Sequence, residues 1–238
     1  RFLDKQERKG CLTQLLLEPF LEKERDFACA AFIGRDQSVR ILTVQEMKTI
    51  GLAYGGSSKM QSDLYTYIEQ SGYFRYIASA CEALGRTGYF GDVCFDSMLL
   101  QDGSVIPIVE INARKSMTLF KYHLDRRLEV SGLEALFSYA PLLAPPGFSF
   151  SHLVKLLEEE KLLFAPGQPE GILPLSANTI NQMDQREAAN CNRKQRGRIY
   201  FAAAARTQER IEAYYSKMQS LLENIKQMAP AEGGRPNE

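Results

Sequence analysis

The stretch Val105-Ile106-Pro107-Ile108-Val109-Glu110-Ile111-Asn112-Ala113-Arg114 decides the fold of this chain. Its first half is apolar, and in its second half Glu110, Asn112 and Arg114 occupy every second position. Because side chains alternate between the two faces of a β-strand, this spacing places the three polar groups on one face and the apolar residues between them on the other. The pattern predicts a strand that presents a carboxylate, an amide and a guanidinium together.

A second apolar run, residues 93–100, precedes this strand, and Asp102-Gly103 between the two runs is a hairpin turn signal. Asp96 lies on the partner strand. A two-residue loop would turn Asp96 away from Glu110, because a shift of one residue changes the face of every side chain. A three-residue loop, which the glycine suits, or a bulge marked by Pro107 would place Asp96 on the same face as Glu110.

Carboxylate and amide oxygens beside an arginine suit a magnesium ion that holds a polyphosphate, since the phosphates then supply the remaining ligands. The arginine would neutralise charge on a transferring phosphoryl group. For an isolated Glu-x-Asn-x-Arg pattern, the simpler interpretation is an edge hairpin with a solvated polar face. Residues outside the hairpin are needed to choose between these interpretations.

The segments Gly88-Tyr89-Phe90-Gly91, Phe95-Asp96 and Glu110-Ile111-Asn112-Ala113-Arg114 together resemble the metal hairpin of the ATP-grasp superfamily of ligases. In that family a carboxylate on one strand, and a Glu and an Asn on the next, hold two magnesium ions on ATP, and an Arg two residues beyond contacts the phosphates. The resemblance implies that Asp96, Glu110 and Asn112 bind metal and that Arg114 is catalytic.

A second segment, Leu17-Glu18-Pro19-Phe20-Leu21, resembles the adenine hinge of the same family. The resemblance implies that Glu18 accepts from the exocyclic amino group and that the backbone of Phe20 and Leu21 pairs with the ring. Taken alone, this segment would be interpreted as a plain strand end with a surface glutamate. Its position ahead of the metal hairpin favours the hinge.

The family also places an acid that contacts the ribose at the start of the next strand, where Asp26 fits best and Glu24 is the alternative. Its glycine-rich loop and phosphate-gripping lysines should precede the hinge, but only ten residues stand before Cys11. The nearest substitutes, Lys48 and Gly55-Gly56-Ser57-Ser58-Lys59, come after the hinge. We therefore expect the chain to be a fragment that could be inactive alone.

The pattern of the whole chain predicts an α+β fold: an antiparallel sheet with packed helices, as in ATP-grasp proteins, followed by a small α/β C-terminal region. Strands are expected at 15–18, 26–33, 39–44, 171–175 and 197–205, a loop of small residues at 51–58, and helices at 64–84, 153–163 and 207–228. A loop-like boundary at Ala140-Pro141 and Ala144-Pro145-Pro146-Gly147 divides the expected nucleotide- and metal-binding portion, 1–140, from the C-terminal region, 141–228. Residues 229–238 are expected to be a disordered tail.

Composition excludes several classes of function. Lys plus Arg and Asp plus Glu are 29 each, so no net charge attracts the chain to nucleic acid, and no apolar run is long enough for a membrane. The two histidines lie far apart in sequence and the five cysteines are scattered, which disfavours a zinc site, a Ser-His-Asp triad and a disulfide framework. A cytoplasmic protein is expected.

The resemblance implies an ATP-dependent carboxylate–amine ligase that works through an acyl phosphate, with ATP and Mg²⁺ as cofactors and a small-molecule carboxylate and amine as substrates. The segments Gly171-Ile172-Leu173-Pro174-Leu175 and Gly197-Arg198-Ile199-Tyr200 look like the tail domain of ATP-grasp ligases that make peptide natural products, which implies an amino acid or peptide substrate. The alternatives are a carboxylate–thiol ligase that loads a carrier protein, and a non-catalytic nucleotide-binding fragment.

Two further features remain open. A basic cluster is interpreted as a solvated loop or as a docking site for an anionic substrate or a carrier protein; its members are Arg186, Arg193, Lys194, Arg196 and Arg198. The final helix carries an apolar stripe that predicts core packing, with a homodimer contact as the alternative. The stripe consists of Ile211, Tyr214, Tyr215, Met218, Leu221, Leu222 and Ile225.

Overall fold

The structure, a computed structural model, describes residues 8, 10, 19–50, 53–145, 147–176 and 195–228. The strands are β1 (Lys23–Ile33), β2 (Val39–Ile50), β3 (Ala53–Lys59), β4 (Gly91–Leu100), β5 (Val105–Asn112), β6 (Glu134–Ala144), β7 (Gly171–Ser176) and β8 (Gln195–Ala205). The helices are α1 (Ser62–Gln70), α2 (Tyr73–Arg86), α3 (Met117–Glu129), α4 (Phe150–Glu159) and α5 (Gln208–Met228). The strands form one sheet in the order β5-β4-β1-β2-β3-β6-β8-β7, with antiparallel pairing between neighbours. The predicted α+β class is confirmed.

One face of this sheet carries Asp96, and we call it the site face. On the opposite face, α1 and α2 pack against β1 and β4 around Phe27, Phe95, Tyr73 and Ile77, all of which are buried. The rings of Phe27 and Tyr73 meet edge to face at 5.2 Å. Apolar side chains at alternate positions of both strands supply this core, and their burial is the main favourable term for these elements.

The second core lies around β6, β8 and β7. Helices α4 and α5 pack there on Leu136, Phe201 and Ala203. Helix α3 covers part of the site face instead, where the Gln45 side-chain amide donates to the carbonyl oxygen of Thr118 at 3.2 Å. No helix in the described ranges is long and apolar enough to cross a membrane.

The sheet is narrow where its two halves join. Strands β3 and β6 pair at only two positions, Gly56 with Ser138 and Ser57 with Phe137. A Cβ atom at Gly56 would lie 2.4 Å from the carbonyl oxygen of Phe137, so the close approach of these strands requires glycine. The Ser138 hydroxyl also donates to the carbonyl oxygen of Gly55 at 2.7 Å.

Three sequence-based expectations are wrong. The predicted helix at 64–84 is two helices, because Gly72 adopts φ +80° between α1 and α2 and ends the first one. The small residues expected as a loop form β3, where pairing with β2 outweighs low strand propensity. The loop-like pair Ala140-Pro141 lies inside β6. The domain division at residue 140 stays a prediction, and the expected strand at 15–18 and tail at 229–238 lie outside the described residues.

The later elements follow the sequence pattern closely. Strands β7 and β8 lie where 171–175 and 197–205 were expected, and α5 matches the predicted closing helix. Helix α4 begins at Phe150, after Ser149 caps its N-terminus, and it ends four residues before the expected position. The small C-terminal region therefore consists of strands and helices that extend the same sheet.

Candidate active site

The β4–β5 hairpin closes through a three-residue loop. The Leu100 amide donates to the Ser104 carbonyl oxygen at 2.9 Å, which leaves Gln101, Asp102 and Gly103 in the loop. Gly103 adopts φ +83°, a conformation that glycine reaches without strain. Tyr67 of α1 donates its hydroxyl to the Gly103 carbonyl oxygen at 2.6 Å and fixes the loop from outside the hairpin. The three-residue alternative is therefore the correct one.

A bulge follows the loop on β5. Met98 pairs with Ile106, whereas Asp96 pairs with Glu110, so residues 107–109 all lie opposite Ser97. Pro107 has no amide hydrogen to donate to the ladder, which explains why regular pairing stops there. Because the bulge adds an even number of residues to β5, namely two, every side chain stays on the same face of the sheet. The bulge also brings Asp96 directly opposite Glu110.

The polar groups of the hairpin contact one another on the site face. Asn112 lies opposite Cys94, two pairs along the ladder from Asp96 and Glu110 and on the same face. Its side-chain nitrogen lies 3.4 Å from Asp96 Oδ2, and its Oδ1 accepts from Arg114 Nη2 at 2.8 Å. The structure thus brings together the predicted metal ligands and the predicted catalytic arginine.

The two acids give this site an excess of negative charge. Burial and, to a smaller extent, the carboxylate of Glu110 raise the pKa of Asp96 to about 6, while Arg114 acts in the opposite direction. Asp26 also contributes to the raised pKa of Asp96. A cation bound between the acids would remove this repulsion and favour the ionised form of Asp96.

The residues fit a magnesium ion that is shared with a polyphosphate. The hairpin offers two carboxylates and one amide oxygen, which is the hard-oxygen set that magnesium prefers when phosphates complete its coordination. Within the described ranges, no group of three or more His, Cys, Asp or Glu is arranged to hold a metal by itself. The oxygen ligands of the hairpin are therefore compatible with a metal–nucleotide complex.

The structure distinguishes the two candidate ribose ligands. Asp26 pairs with Met98 and so lies on the site face, where its side chain is 12% exposed and bonded to Lys23 Nζ at 2.5 Å. Glu24 lies at an irregularity of the β1–β4 ladder, is half exposed and contacts Arg25. Asp26 is therefore the acid that the ladder places on the site face, and its contact with ribose stays a prediction.

The proposed adenine hinge is described only in part. Phe20 and Leu21 immediately precede β1 and are exposed by 85% and 37%, which leaves this segment accessible to a ligand. Glu18 lies outside the described residues. The hinge assignment therefore stays a prediction that rests on the sequence resemblance.

Neither lysine named as a substitute for the phosphate-gripping lysines lies at the hairpin. Lys48 lies on the face opposite the site, with its Nζ 5.4 Å from the ring centroid of Tyr215. Lys59 pairs with Glu134 at 3.0 Å. Arg114 is thus the cation that the described residues place beside Asp96 and Glu110.

A structural role for Arg114 as a partner of α3 is not supported. Among the described residues, no ion pair joins Arg114 to Asp125 or Glu129. Asp125 is instead held by the fully buried Lys121, whose Nζ lies 2.5 and 2.6 Å from the two carboxylate oxygens. Arg114 remains beside Asn112, where it can reach a ligand on the site face.

The sequence did not single out two side chains near the hairpin. Tyr54 lies on β3, on the site face, and burial together with Asp96 raises its pKa to about 12. Tyr54 was missed because it lies in the stretch of glycines and serines that was interpreted as a loop. Ser97 is buried beneath the bulge. In the sequence, the signal that could have drawn attention to Ser97 was its polar side chain within an apolar strand.

The features left open lie on other elements than the hairpin or outside the described residues. The stripe on α5 packs in the second core, as expected. Arg186, Arg193, Lys194 and the side chain of Arg196 are outside the described part, and Arg198 lies over the Tyr139 ring at 4.7 Å. A cavity of about 580 Å³ lies between β2, α1 and α3, but none of the four hairpin residues lines it. The hairpin is therefore the candidate site because of the chemistry of its side chains, and not because it lines the cavity.

No protein-family model matches the chain, and no curated protein matches it in sequence. Several solved structures share its fold. The phosphoribosylaminoimidazole carboxylase ATPase subunit from Aquifex aeolicus aligns over 87% of this chain at 14% identity, with a TM-score of 0.51. N5-carboxyaminoimidazole ribonucleotide synthetase from Thermus thermophilus aligns over 93% at 14% identity, with a TM-score of 0.52.

A third structure is N5-carboxyaminoimidazole synthase from Aspergillus clavatus in complex with ADP and 5-aminoimidazole ribonucleotide. It aligns over 87% of this chain at 11% identity, with a TM-score of 0.53. The chain covers 58%, 54% and 53% of these three proteins, and so spans a little over half of their length. At such low identity the likeness concerns the fold alone. The chain shares its fold with N5-carboxyaminoimidazole ribonucleotide synthetases, which are ATP-grasp ligases.

Proposed function

We propose that this protein is an ATP-dependent ligase that joins a carboxylate to an amine. The observation that carries the proposal is the pairing of Asp96 with Glu110 beside Asn112 and Arg114 on one face of the hairpin. The shared fold supports it, because the names of the structural neighbours describe a carboxyl group placed on an amine nitrogen.

In the proposed reaction, a carboxylate oxygen of the substrate attacks the terminal phosphorus of ATP. ADP leaves and an acyl phosphate forms. The amine nitrogen of the second substrate then attacks the acyl carbon, inorganic phosphate leaves, and the nitrogen loses a proton to solvent. The products are an amide, ADP and phosphate.

Asp96, Glu110 and Asn112 would hold magnesium together with the phosphates of ATP. The metal supplies positive charge that stabilises the phosphate oxygens during transfer. Arg114 would turn its guanidinium from Asn112 Oδ1 to the transferring phosphoryl group, for which its planar fork of donors is suited. Because the β4–β5 ladder positions Asp96, Glu110 and Asn112 in advance, these groups need little rearrangement in the transition state.

Asp26 would accept a hydrogen bond from the ribose, and Glu18 with the backbone of Phe20 and Leu21 would bind adenine. The ribose role is supported by the position of Asp26 on the site face, near Asp96. We also propose that the carboxylate is an amino acid or a peptide, as the resemblance to natural-product ligases implies. A carrier protein and a homodimer remain proposals of the same kind.

Phosphate release from ATP tests this function. The full chain is incubated with Mg²⁺, ATP and a panel of amino acids, first alone and then with amines, 5-aminoimidazole ribonucleotide or thiols as acceptors. We expect release that requires Mg²⁺ and increases with an amine. Release that increases only with a thiol would assign the carboxylate–thiol ligase, and ATP binding without release across the panel would assign a non-catalytic binder.

A further inference from the structure

A chain of buried hydrogen bonds runs under the bulge in β5. The hydroxyl of Tyr73, at the first position of α2, lies 2.9 Å from Ser97 Oγ. Ser97 Oγ in turn donates to the Pro107 carbonyl oxygen at 2.8 Å. Tyr73 and Ser97 are 1% and 2% exposed. Because the single serine proton goes to Pro107, Tyr73 must donate to Ser97, and burial raises the pKa of Tyr73 so that it keeps its proton.

These bonds act at the point where the register of the hairpin changes. Ser97 is the single β4 residue opposite residues 107–109, and it bonds to the first of them. A carbonyl group in a bulge is released from the regular ladder and needs another donor when it is buried. Ser97 supplies that donor from the neighbouring strand, and Tyr73 anchors Ser97 to the core beneath the sheet.

The register that results is the one the candidate metal site needs. Without the bulge, the three-residue loop would continue into a regular ladder with Asp96 opposite Ile108 and Glu110 opposite Cys94. Each side chain would keep its face, but Glu110 would move along β4 by two residues, or about 7 Å. Asp96 and Glu110 would then be too far apart to share one metal–nucleotide complex.

We propose that Ser97 and Tyr73 are positioning residues that hold the bulge and thereby keep Asp96 and Glu110 together as metal ligands. This inference rests on the proposed function, since it assigns the pair a role in magnesium–ATP binding. Neither side chain faces the site: Ser97 pairs with Phe27 and lies on the opposite face. Their effect passes through the backbone of β5.

The chain offers a matched control for the loss of a buried serine hydroxyl. Ser138 is 1% exposed and donates to a backbone carbonyl oxygen across two strands at 2.7 Å, as Ser97 does at 2.8 Å. Ser138→Ala should therefore lose comparable stability without moving the hairpin. Ser97→Thr keeps the hydroxyl and should behave as the parent protein.

Two readouts test the inference on the full chain. Nuclear Overhauser effects between the backbones of Asp96 and Glu110 report the register without any ligand. Titration with Mg²⁺ in the presence of ATP measures the affinity of the site for the metal, and ATP binding without Mg²⁺ is the reference. In Ser97→Ala we expect loss of the Asp96–Glu110 contacts and an affinity for Mg²⁺ that is about 10- to 100-fold weaker, as for other residues that support metal ligands.

Tyr73→Phe should act in the same direction, and the double variant should equal Ser97→Ala because Tyr73 acts through Ser97. The inference would be overturned if Ser97→Ala left the Asp96–Glu110 contacts or the affinity for Mg²⁺ unchanged. It would also be overturned if Ser138→Ala, at the same melting temperature, lost as much affinity for Mg²⁺ as Ser97→Ala. If the parent protein itself shows no Mg²⁺-dependent binding of ATP, the proposed function fails instead, and the positioning role fails with it.

Discussion

Asp96 and Glu110 are directly opposed across the β4–β5 ladder, and among the described residues neither carboxylate forms an ion pair with a basic side chain. Such an arrangement is costly for a protein without a ligand, because it places two negative charges close together and one of them, on Asp96, is partly buried. A cation bound between the two carboxylates would offset their repulsion, which explains why the protein carries such a pair.

Glu110→Gln should remove the magnesium dependence of ATP binding. The amide keeps the shape of the side chain but lacks the negative charge that attracts the metal. Calorimetric titration with ATP at several concentrations of Mg²⁺ would measure the change, and we expect affinity in saturating Mg²⁺ to fall at least to the metal-free value. Glu69→Gln, an exposed change on α1, is the control. An unaltered Mg²⁺ dependence in Glu110→Gln would remove Glu110 from the metal site.

Asp96→Asn should stabilise the metal-free protein at pH 8 more than at pH 4. The pKa of Asp96 is raised from 3.8 to about 6, so the folded state holds its proton more tightly than the unfolded state. Stability is therefore lost as the pH rises from about 4 to about 6, and it stays lost above that range. Asparagine does not titrate and avoids this loss. Melting temperatures of both proteins at the two pH values would test it, and an equal difference at both would refute the raised pKa.

Arg114→Ala should lower turnover by about tenfold or more, equivalent to about 1.4 kcal/mol of barrier, and leave nucleotide affinity nearly unchanged. Arg114→Lys should also be impaired, because it retains the charge but loses the planar fork. Single-turnover cleavage of ATP is the measurement, with melting temperature as a check on folding. Arg127→Ala, on the exposed side of α3, is the matched control. Normal turnover in Arg114→Ala would return Arg114 to a structural role.

Asp26→Asn should weaken ATP binding, whereas Glu24→Gln should not. Asp26 lies on the site face beside Asp96, and the neutral amide loses the charge that strengthens a hydrogen bond from a ribose hydroxyl. The comparison is made by titration with ATP and with 2′,3′-dideoxy-ATP. The loss should be confined to ATP. A larger effect in Glu24→Gln would transfer the ribose contact to Glu24.

Gly103→Ala should lower the free energy of unfolding by about 1–3 kcal/mol, because alanine is strained at φ +83°. Its Cβ would also lie 3.0 Å from the Tyr67 hydroxyl, which holds the loop. Gly88→Ala separates the two effects: its φ is +89°, but its Cβ would meet no described atom within 4 Å. Urea unfolding should show a larger loss for Gly103→Ala. Equal losses would mean that the Tyr67 contact does not constrain the loop.

Residue alternation was enough to predict both strands of the hairpin and the shared face of Glu110, Asn112 and Arg114. The position of Asp96 could not be decided, because loop length and bulge depend on Tyr67 and Tyr73, which lie 36 and 24 residues from the groups they bind or support. Periodicity carries no information about such distant contacts.

Other errors have equally specific causes. Strand β3 was missed because glycine and serine have low strand propensity, and its place is fixed by neighbours on both sides. The predicted single helix at 64–84 had the right apolar spacing throughout, but spacing does not reveal that Gly72 adopts a left-handed conformation. The adenine hinge was predicted from its motif alone, and it stays a prediction because Glu18 lies outside the described residues.

The narrow joint between β3 and β6 has a consequence for how the molecule opens. Strands β1 to β5 with α1 and α2 are contiguous in sequence, and all of these elements except β3 share one core, whereas β6 to β8 with α4 and α5 share another. Among the described residues, they are joined by two ladder positions, the bridging helix α3 and a few side-chain contacts, such as the Ser138–Gly55 hydrogen bond and the Lys59–Glu134 ion pair. Native-state hydrogen exchange should therefore resolve two cooperative units, each with its own opening free energy, with the amides of the joint exchanging at least as fast as the weaker unit.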